Sequence, residues 1–169
     1  MTNYQNVNSI SNQTWGDRYT DLAKEISTWS KDPSTKVGAV VIGKHGQVLS
    51  QGFNGFPRKI RDTEERFNNR ERKYELVVHA EMNAIYNASL SGMSLKGATL
   101  YVYGLPICNE CAKGIIQVGI TKVVACRPKE YNSDWDKSNK LAEELFSEAE
   151  VMYLIDVEGN RYPKNPYEK

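Results

Sequence analysis

Cysteine and histidine are scarce in this 169-residue chain: three of the first and two of the second. The odd cysteine number excludes a secreted disulfide framework, and the two residue types together supply ligands for about one metal site. Neither sign of charge dominates. With 22 basic residues against 21 acidic ones the net charge is +1, which argues against a protein whose affinity rests on neutralising many phosphates or an anionic membrane surface. No apolar run approaches the ~20 residues that span a bilayer, and residues 1–14 hold neither a basic nor an apolar stretch of the kind that opens a secretory signal, so the expected address is the cytoplasm. Repeats and low-complexity tracts are also missing. What remains, 40% hydrophobic and 25% charged residues, is the composition of an ordinary soluble domain, long enough to bury roughly 70% of its unfolded surface in one core.

The expected organisation is an uncharged Asn/Ser/Gln-rich arm over residues 1–14, one domain over 15–155 and a tail over 156–169. Tyr19, Leu22, Ala23, Ile26 and Trp29 follow helical spacing until Asp32-Pro33 stops them. Val37 to Ile42 and Val48 to Phe53 read as two strands joined by a turn at His45-Gly46. Helices are predicted from His79 to Gly92, from Glu110 to Val118 and, capped by Ser133, to about Ala149. Strands are predicted at Leu100 to Tyr103, Val123 to Cys126 and Val151 to Ile155. Strands alternating with helices after an opening hairpin predict a three-layer α/β/α sandwich with a mixed sheet of about five strands. Arg58 to Glu75, with seven basic and five acidic residues, reads as a solvated helix or loop.

The candidate chemistry is concentrated at two predicted helix starts. His79 opens one, Cys108 opens the next, and Cys111 follows at the i, i+3 spacing that turns both sulfurs to one side. Zinc suits this donor set, with a fourth position left to water; helix starts also favour thiolates through their N–H groups and dipole. Glu81, two residues beyond His79, is poorly placed as a further ligand and well placed for general acid/base work beside a Lewis acid. H-x-E followed by P-x-C-x-x-C across successive helices is the pattern of zinc-dependent deaminases. Two blander readings stand beside it: a structural zinc site completed by Cys126 or His45, and a redox Cys pair. Cys126 ends an apolar strand and His45 sits in a turn, so each has an ordinary role available.

Ser30 to Val41 (SKDPSTKVGAVV), Gly52 to Arg58 (GFNGFPR), His79 to Ile85 (HAEMNAI) and Pro106 to Ile120 resemble the deoxycytidylate (dCMP) deaminases of the cytidine deaminase superfamily, in that family's order. One departure is Ile107, which separates Pro106 from Cys108 and is expected to shift the wall of the base site. The resemblance implies hydrolysis of dCMP to dUMP and ammonia, with zinc on His79, Cys108 and Cys111 and proton transfer by Glu81. It also implies substrate contacts from the Ala80 N–H and from Asn54, with Thr35, Lys36, Arg127 and Tyr131 as phosphate candidates. A homo-oligomer, typically a hexamer, is implied as well, activated by dCTP and inhibited by dTTP with Mg²⁺. The effector loop is Gly52, Asn54, Gly55, Phe56, Pro57 and Arg58, whose glycines allow close approach to a ligand. The residues leave open a deaminase of another cytosine or purine substrate, and a non-catalytic zinc-stabilised nucleotide-binding module.

Overall fold

The computed structural model describes residues 13–129 and 136–158. Most of the expected arm and tail, together with Tyr131 and Ser133, lies outside the described residues. Helix α1 (Trp15–Ser27) begins at Thr14, whose hydroxyl accepts from the Asp17 N–H while the Asp17 carboxylate accepts from the Thr14 N–H, a reciprocal cap. Strands β1 (Gly38–Ile42) and β2 (Val48–Phe53) form the predicted hairpin. Two short helices follow, α2 (Glu64–Asn68) and α3 (Arg70–Leu76). Then α4 (Ala80–Leu90), β3 (Thr99–Tyr103), α5 (Asn109–Gln117), β4 (Lys122–Arg127), α6 (Asp136–Glu148) and β5 (Met152–Val157) alternate to the end.

The sheet order is β2-β1-β3-β4-β5. Strand β1 is antiparallel to both neighbours, and β3, β4 and β5 run parallel. Alternation in β1 divides the core. Val40 and Ile42 face α1 together with Ala23, Ile26, Tyr101 and Val124, whereas Ala39 and Val41 join α4, α5 and α6 through Ala84, Ile115 and Phe146. This is the predicted three-layer arrangement: α1 covers one face and three helices cover the other.

Two glycines set the layer spacing. A Cβ on Gly38 would lie 2.1 Å from the Ala23 carbonyl oxygen, and one on Gly52 would lie 2.3 Å from the Ala84 nitrogen and 2.5 Å from the Ala80 oxygen. Helix α1 therefore rests on β1, and α4 on β2, at backbone contact. The close approach that Gly52 permits is to a helix of its own fold; Gly55 faces open space.

The topology also decides where helices begin. Because β2 and β3 are each antiparallel to β1, they run in the same direction and end at one edge of the sheet. The segment after β2 leads to the start of α4, and the loop after β3 leads to the start of α5. The loop entering β1 and the end of β4 arrive at this same edge, the usual position for a site in an α/β sheet.

Candidate active site

His79 is the N-cap residue of α4 and Cys108 that of α5. Pairing of Gly55 with Val78, by N–H to carbonyl contacts of 3.1 and 2.8 Å, fixes the approach to His79. At the start of α5 the Ile107 N–H donates to the Tyr153 hydroxyl at 2.9 Å, and the Asn109 N–H donates to Ser138 of α6 at 3.1 Å. Both helix starts are thus held by long-range contacts. His79 Nδ1 lies 3.4 Å from Cys108 Sγ and 3.3 Å from Cys111 Sγ, and Cys108 Sγ also accepts from the Cys111 N–H at 3.4 Å.

These three atoms fit zinc. A tetrahedral ion with Zn–N of about 2.0 Å and Zn–S of about 2.3 Å has N···S edges of roughly 3.5 Å, close to the separations found. Among the described residues this is the group of His, Cys, Asp and Glu side chains gathered tightly enough to hold a metal, and it supplies three ligands. Cys126 is buried in β4, in register with Tyr103 and Asp156, and His45 is exposed in its turn, so neither completes the set.

Electrostatics bind the cluster together. The hydrogen bond with Cys108 raises His79 to about 9 against the opposing effect of burial, with the charge of Glu81 adding to the rise. Hydrogen bonds from Cys111 and His79 hold the Cys108 thiol well below its usual range despite burial. Cys111, next to that thiolate and buried, is pushed up. Glu81, in the first turn of α4 and 4% exposed, is raised by burial, partly offset by the charge of His79.

Without metal, one proton therefore stays on His79 and one on Cys111 at neutral pH. Zinc uptake at pH 7 is expected to release about two protons per ion, falling toward about one as pH passes the raised pKa of His79. Calorimetric titration in buffers of different ionisation enthalpy measures this number. The same competition makes zinc easier to strip as pH falls.

Beside the cluster lies a cavity of about 670 Å³, whose lining includes His79, Glu81 and Cys108 together with Ser34, Lys36 and Lys73. The model of the cytidine and deoxycytidylate deaminase zinc-binding region matches residues 13–127. The chain belongs to this family. It is 40% identical over 138 residues to an "Uncharacterized deaminase in luxG 3′region" of Aliivibrio fischeri, covering 81% of this chain and 90% of that one. It is 36% identical over 146 residues to the deoxycytidylate deaminase of Homo sapiens, covering 82% and 78%. The solved structure of the dCMP deaminase from cyanophage S-TIM5 in complex with dCMP and dUMP superposes with a TM-score of 0.64 at 25% identity, covering 82% and 94%.

In this zinc-binding deaminase the sequence-predicted residues fall into distinct places. Ala80, Asn54, Thr35 and Lys36 line the cavity with Glu81. The Asn54 amide is already engaged: its oxygen accepts from the Val37 N–H at 2.8 Å and its nitrogen donates to the Thr35 carbonyl at 2.9 Å, so it shapes the loop that enters β1. Arg127 ends β4, while its successor Pro128 lines the cavity; Tyr131 is outside the described residues. In the Gly52 to Arg58 loop, Phe56 stacks on Phe67 with ring centroids 4.5 Å apart, and Arg58 donates to Asn87 of α4.

Ile107, the residue between Pro106 and Cys108, is fully buried in the core, while Pro106 and Cys108 line the cavity. One expectation changes. The charged interval from Arg58 to Glu75 is not wholly solvated, because Lys73 turns inward to the cavity and Arg70, Phe67 and Tyr74 line it as well. Composition within the interval could not show this, since the partners of Lys73 are Asp32 and Ser34, some forty residues earlier in the chain.

Proposed function

We propose that this deaminase converts dCMP and water to dUMP and ammonia. One observation carries the reading: the His79, Cys108 and Cys111 cluster and the buried Glu81 open into the same cavity as Ser34, Thr35, Lys36 and Lys73. That volume lies within the range of small-molecule sites, and its hydroxyls and ammonium groups match an anionic nucleotide. Relatives named deoxycytidylate deaminase and a solved relative holding dCMP and dUMP support the same substrate.

His79, Cys108 and Cys111 hold zinc, which when bound supplies the Lewis acidity that makes a water molecule nucleophilic near neutral pH. Glu81 takes a proton from that water and gives one to N3 of the cytosine ring as the water oxygen bonds to C4. The carboxylate so regenerated takes the remaining proton of the hydroxyl added at C4 and passes it to the exocyclic nitrogen; the C4–N bond breaks, the C4 carbonyl forms and ammonia leaves. Burial raises Glu81, bringing its proton affinity closer to what both transfers need. The His79 side chain does not cap α4, which leaves the first N–H groups of that helix, Ala80 included, for the base carbonyl O2.

The finer reading is a cytoplasmic homo-oligomer, a hexamer in the family pattern, formed by one domain over residues 15–155. In it dCTP activates and dTTP inhibits, with Mg²⁺ on the triphosphate, at the Gly52 to Arg58 loop. Free thiols at Cys108, Cys111 and Cys126 suit a reducing compartment. The Phe56–Phe67 stack supports the regulatory part, because Phe67 lines the cavity and an effector held at Phe56 acts on that wall. Ammonia release from dCMP, cytidine, dCTP and guanine, each with and without dCTP as effector, tests the whole reading. The expected result is preference for dCMP, with a sigmoidal dependence that dCTP makes hyperbolic. Preference for another substrate overturns the assignment, and hyperbolic kinetics indifferent to both triphosphates with Mg²⁺ removes the regulation.

A further inference from the structure

We propose that Lys73 is a specificity-determining residue that binds the 5′-phosphate of the substrate, held ready for it by Asp32 and Ser34; this rests on the dCMP reading above.

Helices α2 and α3 make a poor claim on the core. No residue of α2 is buried, and the buried residue of α3 is a lysine. The Lys73 side chain is 9% exposed, and burying an ammonium is costly unless it is paired. Its Nζ lies 3.2 Å from Asp32 Oδ2, 3.4 Å from Asp32 Oδ1 and 2.7 Å from Ser34 Oγ, and 5.6 Å from the Tyr74 ring centre. Asp32 does not need this partner to satisfy its inner oxygen. Oδ1 already accepts from the Ser34 N–H at 2.9 Å, the Ser34 hydroxyl at 2.9 Å and the Thr35 N–H at 3.1 Å. Burial pushes Asp32 up, but these bonds, joined by the hydrogen bond from Lys73, outweigh it and hold the carboxyl below its ordinary value.

An aspartate whose Oδ1 is fixed by its own turn and whose Oδ2 faces Lys73 thus anchors an ammonium group on the cavity wall. Of the three N–H donors of Lys73, Asp32 and Ser34 take two, leaving one for the cavity that the side chain lines. The other cations there are differently committed. Lys36 donates to the Ser30 carbonyl at 2.6 Å, and Arg70 is an exposed residue whose Nε donates to the Tyr74 hydroxyl at 3.2 Å. A buried, pre-positioned ammonium between two acceptors is suited to a phosphate oxygen, because its desolvation has already been met by the fold.

The test uses the zinc-loaded full chain. Lys73→Met is expected to lower kcat/KM for dCMP by about 10- to 100-fold, carried by KM, and to weaken competitive inhibition by dUMP by a similar factor. Inhibition by deoxyuridine, which lacks the phosphate, is expected to change less than about threefold. Equal weakening of dUMP and deoxyuridine, a loss confined to kcat, or no change in dUMP inhibition overturns the proposal and leaves Lys73 a tether of α3. Should Lys73→Met strand Asp32 and fail to fold, the double variant Asp32→Asn/Lys73→Met removes the orphaned charge and permits the same comparison. An unmutated protein that releases no ammonia from dCMP overturns the functional reading instead.

Discussion

Replacing Glu81 with Gln is expected to lower ammonia release from dCMP by ~10²- to 10⁴-fold, the usual worth of positioned proton transfer, with zinc content unchanged. Gln keeps the size and hydrogen-bonding reach of the side chain but cannot cycle a proton between water, ring nitrogen and leaving amine. The zinc ligands His79, Cys108 and Cys111 do not include position 81, so metal retention separates loss of chemistry from loss of the site. Stability gives a second check. Burial raises the Glu81 carboxyl above its ordinary 4.5. A group whose folded pKa exceeds its unfolded value takes up a proton on folding, so its contribution is full below the ordinary value of 4.5 and falls as pH rises from there through the raised folded pKa. At pH 7 the neutral Gln avoids that cost, and the variant is expected to melt at or above the temperature of the unmutated protein. A variant retaining more than about a tenth of the rate would contradict the acid/base role.

Cys108→Ala is expected to abolish activity by a different route, with loss of zinc. Elemental analysis should find about one zinc per chain in the unmutated protein and well under a tenth of that in the variant. Cys108 performs three tasks at once: it supplies one of the three donor atoms, it pairs with His79, and its sulfur accepts the Cys111 N–H as the cap of α5. Losing the cap alone costs about 1 kcal/mol, so the variant is also expected to melt lower than the metal-stripped parent. Full zinc content in the variant, or two tightly held zincs in the parent, would show that the donor set has been misassigned.

The consequences of these substitutions differ because the residues enter the site through different levels of structure. Cys108 and Cys111 meet by local spacing, since one turn of helix places them on the same side. Glu81 stands two residues from His79, so its nearness to the cluster is also local. Such relations are legible in the chain because helix geometry is set within a few residues. The helices and strands of the sandwich were legible for the same reason: apolar runs such as Val37 to Ile42, and turn residues such as His45-Gly46, carry their period with them.

Tertiary structure decided what depends on distant partners. His79 reaches the cysteines because β2 and β3 run in the same direction and deliver α4 and α5 to one edge of the sheet. Gly52 sits where α4 crosses the strand at backbone contact, and only the packed layers show that its missing side chain makes room for a helix. Asn54 spends its amide on the Thr35 to Val37 backbone, and Ile107 turns into the core although its neighbours Pro106 and Cys108 line the cavity. Lys73 is the sharpest case. Within its own charged segment it is one cation among seven, and it becomes a cavity residue only through Asp32 and Ser34. A short-range pattern records which face of a helix or strand a residue occupies; which groups that face meets is set by chain crossings and by the need to pair every charge the fold takes out of water.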